Sequence, residues 1–307
     1  IIIFLTTYLG KRKASISSTD LKENKVEELV HKCLEATKIT PEDDLNSLPD
    51  AELYFKGSKN LDLYDNTILS NQDKIDFIKE AEETAFKDKR IVNTNGSGFS
   101  ESKSNFCLAN SNGFCDGYKT SQFNAYCEVV SKNNGSMERD YEFSGKRYFN
   151  DLLPPKDIGE NAAKRSISKL NPKKINSDKI DIIFDKRIAK NFLSNFASSI
   201  SSNSIAKGTT FLKNQLNEKV FNEKINIIDK ANIKKGNGSK YFDNEGISIK
   251  ELNLVTDGVL NDYLIDTYNG KKINRKSNGR SGGTTNLFFN NGSNTMKDLF
   301  NSNKKIL

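Results

Sequence analysis

Between residues 90 and 150 the chain alternates. Phe123, Ala125, Cys127 and Val129 place a small or apolar side chain at every second position, with Asn124, Tyr126 and Glu128 between them. Successive side chains of a strand point to opposite faces, so this spacing demands a strand with one face in a core and one face open. Such a strand needs hydrogen-bonded neighbours. Asn133-Asn134-Gly135 offers a tight hairpin turn, and the segment from Tyr141 to Phe143 reads as the returning strand. Ile91-Val92 and Phe106-Cys107-Leu108-Ala109 read as further strands, separated by turns at Gly96, Gly98 and the serines around them. The expectation for this stretch is mainly antiparallel sheet.

Helical spacing flanks it. Val26, Leu29, Val30, Cys33, Leu34 and Thr37 predict an amphipathic helix over 22–38, with Asp20 and Glu23 at capping-box spacing. Ile75, Ile78, Ala81, Ala85 and Phe86 predict another from about Asn71 to Lys87, and Ile158, Ala162, Ala163, Ser166 and Leu170 a third over 156–170. Residues 1–9 and Ile180-Asp181-Ile182-Ile183-Phe184 read as strands, and Ile188, Phe192 and Phe196 as a helix face. Residues 198–204 read as a serine-rich linker. Ile225 to Asp229 reads as a strand, and Leu252 to Ile265 as a hairpin through Asp257-Gly258. The expected class is α+β. An N-terminal α/β piece spans 1–70, a central antiparallel β-rich domain 71–172, and a C-terminal β-rich domain with helices 173–307. The chain opens on Ile1 and closes on Lys304-Lys305-Ile306-Leu307, which reads as a piece lacking both ends of a longer protein.

Composition narrows the function. His31 is the only histidine in 307 residues, so no His-pair metal site can form within the chain, and a Ser-His-Asp triad would have to use His31. It lies beside the apolar stripe of its helix, as an exposed surface residue would. No apolar run approaches the about 18 residues of a membrane span. Cys33, Cys107, Cys115 and Cys127 lack the short spacing of zinc pairs and read as free thiols of a reducing, cytoplasmic protein. Lys+Arg 47 against Asp+Glu 40 leaves 47 − 40 = +7, dispersed along the chain as a solubilising surface.

Few residues suggest chemistry. Asp243 and Glu245 flank Asn244, with Gly246 behind; on an extended segment both carboxylates would share a face, and in a turn they would not. Lys271, Lys272, Arg275, Lys276 and Arg280 form a basic loop with Gly279, Gly282 and Gly283. No aromatic residue interleaves between 269 and 283, so a solvated loop is the preferred reading over a nucleic-acid track.

Several runs together resemble a known family. They are Phe184-Asp185-Lys186-Arg187-Ile188-Ala189, Ala206-Lys207-Gly208-Thr209-Thr210-Phe211-Leu212, Phe242-Asp243-Asn244-Glu245-Gly246 and Leu254-Val255-Thr256-Asp257-Gly258-Val259-Leu260. With Leu108–Phe114, Met137–Tyr141 and Lys11–Asp20 they resemble, in order, the TldD/PmbA metalloprotease family, in its PmbA or TldE branch. The resemblance implies a bacterial or archaeal subunit of a heterodimeric zinc metalloprotease that trims peptides and unfolded polypeptides beside a TldD-like partner. The TldD branch carries a His-Glu-x-x-x-His helix before its Gly-Thr-Ser. Counted back without gaps from Gly208, those positions fall here on Leu193, Ser194 and Ser198. None is a competent ligand or base. The implied role is non-catalytic, with zinc in the partner and Gly208, Thr209, Asp243, Glu245 and Gly246 lining a partner-facing cleft. The alternative is a non-enzymatic protein acting on DNA gyrase or nucleic acid.

Overall fold

A computed structural model describes residues 1–302; the closing run Lys304–Leu307 lies outside them. The fold is α+β, built on three antiparallel sheets. Strands β1 (Ile3–Leu9) and β2 (Arg12–Ser18) form a hairpin in register from Ile3↔Ser18 to Leu9↔Arg12. β2 was not expected, because its serines, Arg12 and Lys13 hide a period-2 pattern. Helix α1 (Glu23–Ile39) covers one face of the hairpin with Leu29, Cys33 and Thr37. The expected capping box does not form. Lys22 is the N-cap, and the Asp20 carboxylate instead accepts the Lys22 N–H.

The central sheet has the order β3-β4-β5 (Ile91–Ala109, Cys115–Asn133, Ser136–Lys146). Phe123, Ala125, Cys127 and Val129 on β4 are all buried under α2 (Asn71–Ala85) and α3 (Pro155–Ser168), as their alternation requires. α2 opens with a capping box between Ser70 and Asp73. The turns expected at Gly96 and Gly98 are absent: β3 is one 19-residue strand with irregularities near Asn93 and Gly96. Gly98 lies opposite Tyr126, and a Cβ there would come within 2.6 Å of the tyrosine ring. Glycine thus serves close cross-strand packing rather than a turn.

In the C-terminal region α4 (Lys186–Ser199) and α5 (Ser202–Lys207) precede a sheet of order β8-β7-β6-β9, formed by β6 (Ile227–Lys230), β7 (Leu252–Thr256), β8 (Val259–Leu260) and β9 (Asn286–Phe289). α6 (Thr267–Lys272) lies between β8 and β9, and α7 (Met296–Ser302) follows. Asp257 (φ 49°) and Gly258 (φ 79°) make the expected β7–β8 turn. The strand expected at 180–184 does not form. Asp181 alone makes an isolated bridge, and Ile182 and Phe184 stay about half exposed. Nor is 198–204 a linker: Ser201 caps α5 by accepting the Ser204 N–H. Serine there serves caps, which composition alone cannot separate from loop.

Two features join the regions, and a third locks the C-terminal one. Phe242 packs on Phe55, Phe106, Phe114 and Tyr118 with ring centroids 5.0–5.9 Å apart. It thereby links the N-terminal segment, the β3–β4 hairpin end and the C-terminal region; burying such a ring stabilises by about 1.5–3 kcal/mol. Asp140 on β5 receives Arg187 from α4 at 3.0 Å and Lys169 at 2.9 Å. Third, Asp229 on β6 and Arg280 form a fully buried ion pair at 2.7 Å. Arg280 also donates to the Asn278, Gly279 and Lys250 carbonyls, and Asp229 accepts the Thr285 N–H and hydroxyl.

Removing one member of a buried pair strands the other charge. Asp229→Ala is expected to cost about 3–5 kcal/mol in urea unfolding, with the 278–285 loop losing amide protection. Burial opposes ionisation of Asp140, but hydrogen bonds from Arg187 and Lys169 outweigh it and hold its carboxyl well below the usual carboxylate range. Its contribution is therefore present above the unfolded value of about 3.9 and is lost as pH falls further. Both cationic partners are partly exposed, so Asp140→Ala is expected to cost only about 1–2 kcal/mol at neutral pH. The wild-type excess in stability over this variant should shrink in urea titrations as pH drops below about 4.

Candidate functional site

Asp243, Glu245 and Gly246 belong to one tight turn, not to an extended segment. Phe242 bridges Ser248, and Gly246 takes φ 83°. A Cβ at Gly246 would lie 2.8 Å from the Phe114 ring, so both backbone and space require glycine there. The two carboxylates face different partners. Asp243 is 1% exposed. Its Oδ1 accepts the N–H groups of Glu245 and Ile247, and its Oδ2 that of Ser281, each at 2.9 Å. Asp243 is thus a pin between the turn and the 278–285 loop. Burial pushes its carboxyl up against the pull of these three donors.

Glu245 is half-buried and reaches α6, where Oε2 accepts the Thr267 N–H at 3.1 Å and its hydroxyl at 2.7 Å. Burial also raises its pKa; nearby Asp243 and Asp266 add to the rise, and Thr267 opposes it. With Asn244, Glu245 lines a cavity of about 450 Å³ bounded by Phe4–Tyr8 of β1, Ser47–Pro49 and Leu108–Ser111.

Gly208 and Thr209 sit elsewhere. Gly208 is the left-handed C-cap of α5 (φ 69°), and a Cβ there would meet only the Lys213 side chain. The residue serves a helix stop rather than a close approach. Thr209 donates its N–H to the Ser204 carbonyl. At the other end of α5, Ser202 Oγ donates to Asp266 Oδ2 at 2.8 Å, and Asp266 precedes the Thr267 that Glu245 holds. Gly208 and Thr209 thus lie at the C-terminal end of α5, whereas Glu245 connects to its N-terminal end through Thr267, Asp266 and Ser202.

A second cavity, of about 510 Å³, lies where α4 and α5 face the Arg280–Thr284 loop. Ser194 and Ser198 of α4 line it, with Ser201, Asn203, Ser204 and Gly283. Leu193 turns away and packs on the C-terminal core. Serine hydroxyls and the Asn203 amide share the walls with Ala197, Leu264 and backbone; Asp266 and Arg280 are engaged with Ser202 and Asp229. This donor set does not fit a zinc ion, which takes thiolate, imidazole or carboxylate in threes or fours. Among the described residues no group of three or more His, Cys, Asp or Glu could hold a metal, and His31 is exposed on α1.

The basic loop is not an open phosphate track. Arg280 is buried on Asp229, Arg275 pairs with Asp262 at 2.9 Å, Lys276 with Glu52 at 3.0 Å, and Lys272 lies over the Tyr268 ring. Asp229 and Asp266 were not expected as site-building residues. Each is one carboxylate in an unremarkable run, and only the fold supplies its partners. All four cysteines are free, and no helix among the described residues is long and apolar enough to cross a membrane.

Comparison with known proteins agrees with this architecture. Residues 64–170 match the PmbA/TldA metallopeptidase central domain, and residues 177–307 the PmbA/TldA metallopeptidase C-terminal domain. A metalloprotease PmbA homolog from Buchnera aphidicola subsp. Baizongia pistaciae is 37% identical over 95% of this chain and 66% of its own length. Metalloprotease PmbA of Escherichia coli O157:H7 is 31% identical over 92% of the chain and 63% of its own. The chain thus spans just under two thirds of these relatives. A Bacteroides thetaiotaomicron protein, described as a proposed modulator of DNA gyrase, superposes with a TM-score of 0.90 at 30% identity, covering 96% of this chain and 68% of that one. TldE from Thermococcus kodakarensis shares the fold, with a TM-score of 0.82 at 22% identity over 97% and 70% of the two chains. With both domain matches, and with curated relatives at this identity along nearly its whole length, the chain belongs to the PmbA/TldD metalloprotease family.

Proposed function

We propose that this chain is the zinc-free, PmbA/TldE-type subunit of a two-subunit cytoplasmic metalloprotease. A TldD-like partner holds the zinc, and this chain supplies scaffold and part of the cleft that grips an extended peptide. The observation that carries the reading is the wall of the larger cavity. Positions 194 and 198, where a TldD-type helix would set its base and second histidine, are occupied by serines that face the cavity. Hydroxyls and backbone groups can hold a peptide main chain with little regard to side chain, whereas they cannot activate water on zinc. The free thiols fit a reducing compartment.

The complete protein, purified alone, is expected to bind no stoichiometric zinc by elemental analysis and to cleave no peptide. Adding the TldD-like subunit of the same organism should produce cleavage that a chelator abolishes. Zinc-dependent cleavage by the isolated protein would overturn the reading. Replacing both Ser194 and Ser198 by alanine should raise KM of the reconstituted enzyme by about 3–10-fold with kcat held, as expected for one or two lost binding hydrogen bonds.

A second reading, a non-enzymatic protein acting on DNA gyrase or nucleic acid, draws on the description of the Bacteroides relative. It requires phosphate contacts, which the internal pairing of the basic loop does not favour. Its signature is a steep loss of duplex affinity with salt, a log–log slope of about −0.9 per phosphate contacted. A flat salt response would dismiss direct duplex binding.

A further inference from the structure

β3 is an outer strand of the central sheet, paired on one side only. Its pairing with β4 keeps one register from Gly96↔Glu128 to Ala109↔Cys115. One step beyond the last pair, the Asn110 N–H donates to the Phe114 carbonyl at 2.8 Å. Hydrogen-bonded and non-hydrogen-bonded pairs alternate along an antiparallel ladder. Even-numbered residues of this stretch therefore bond to β4. Phe99, Glu101, Lys103, Asn105 and Cys107 turn their N–H and C=O groups away from the sheet. Among the described residues none of these backbone groups has a partner.

This open ladder runs for about 27 Å. Sheets normally blunt such an edge with proline, a bulge, a covering element or an outstretched lysine. From Ser97 to Ala109 there is no proline, the irregularities lie further back near Asn93 and Gly96, and Ser102 to Cys107 are all exposed. The one lysine of the stretch is folded back: Lys103 Nζ meets Glu101 at 3.0 Å and also donates to the Thr67 carbonyl. The opposite edge of the sheet differs, because side chains of Arg165, Lys169 and Arg187 take the β5 carbonyls.

We propose that the outer edge of β3 takes an unfolded polypeptide as an added strand. The inference rests on the two-subunit reading above and adds where the substrate lies along this chain. Alternating donors and acceptors at strand spacing complement an extended main chain. Side-chain selection there is slight. Ser100, Ser102 and Ser104 present small hydroxyls on one face, and on the other Glu101 is held by Lys74 and Lys103. A second copy of this chain fits poorly. Edge-to-edge pairing about a two-fold axis would lay α2, which packs on β3, beside its own copy, and α2 holds five carboxylates against two lysines. A single added strand lies about 4.8 Å away and brings no second helix.

The test uses the complete protein and a fluorescein-labelled peptide of alternating serine and threonine, long enough to span the edge. On the wild type, amide exchange followed by NMR should show Glu101, Lys103 and Asn105 gaining protection as the peptide saturates, while Ser102 and Ser104, already bonded to β4, change little. Asn105→Pro removes an outward N–H without touching the β4 ladder. It should raise the peptide Kd by about 3–10-fold, whereas Asn105→Ala, which keeps the N–H, should bind as the wild type does. The same peptide N-methylated at every amide should not bind. If Asn105→Pro does not fold, the exchange pattern and the N-methylated peptide decide. Absence of peptide binding, protection without the alternation, or equal binding of the N-methylated peptide overturns the edge site and leaves the two-subunit reading to its own cleavage assay. Alternating protection beside a reconstituted pair that cleaves nothing supports the edge site and overturns the two-subunit reading. Loss of association with the TldD-like subunit, or of self-association, in Asn105→Pro with peptide affinity unchanged assigns the edge to a protein interface and overturns the proposal.

Discussion

The pairing of Asp229 with Arg280 organises the C-terminal region. Both side chains are fully buried; Arg280 spends its remaining donors on backbone carbonyls, and Asp229 accepts the Thr285 N–H and hydroxyl. A charge in that position is tolerable only while its partner stays in place, so the pair acts as a geometric lock. It ties strand β6 to a loop that has no regular structure of its own. The loop in turn offers its Ser281 N–H to Asp243, and Asp243 shapes the turn that carries Glu245. The Arg280–Thr284 wall of the larger cavity thus depends on the Asp229–Arg280 contact.

The central sheet and the C-terminal region are held together by different physics at different points. Around Phe242 the join is apolar and aromatic, with Phe114 and Tyr118 meeting its ring edge to face. At Asp140 it is ionic: β5 accepts Arg187 at the first turn of α4, which fixes where that helix begins. Arg147 adds donors to the Gly236 and Asn237 carbonyls. The cationic side chains of Arg165, Lys169 and Arg187 also cover carbonyls along the outer edge of β5. An edge so occupied resists pairing with stray strands.

The same arrangement separates scaffold from chemistry. α4 holds its place through Leu193, Phe196 and Ala197, which face the core. Ser194 and Ser198, on another side, make no demand on packing. Side chains at such positions can be exchanged without disturbing the fold.

Periodicity along the chain determined much of the fold. The alternation from Phe123 to Val129 needs only local stereochemistry, and the helices over 23–39, 71–85 and 155–168 follow from apolar spacing and punctuation by Ser70 and Pro155. The single histidine is enough to remove a His-pair metal site, because a count of one cannot supply two imidazoles in any fold. Tertiary structure decided the rest. β2 and β9 are short strands defined by their neighbours, and their sequences carry no strong period. The run at 180–184 has the composition of a strand but gains no more than the single bridge at Asp181, and strands exist only as pairs. Whether Asp243 and Glu245 share a face depends on a turn that Phe114 and Gly246 shape from positions more than a hundred residues apart. Arg280 stands in a basic, glycine-rich run that looks solvent-exposed in sequence. It is buried because Asp229, far away in the chain, is its counter-charge, and no local pattern encodes so distant an electrostatic partner.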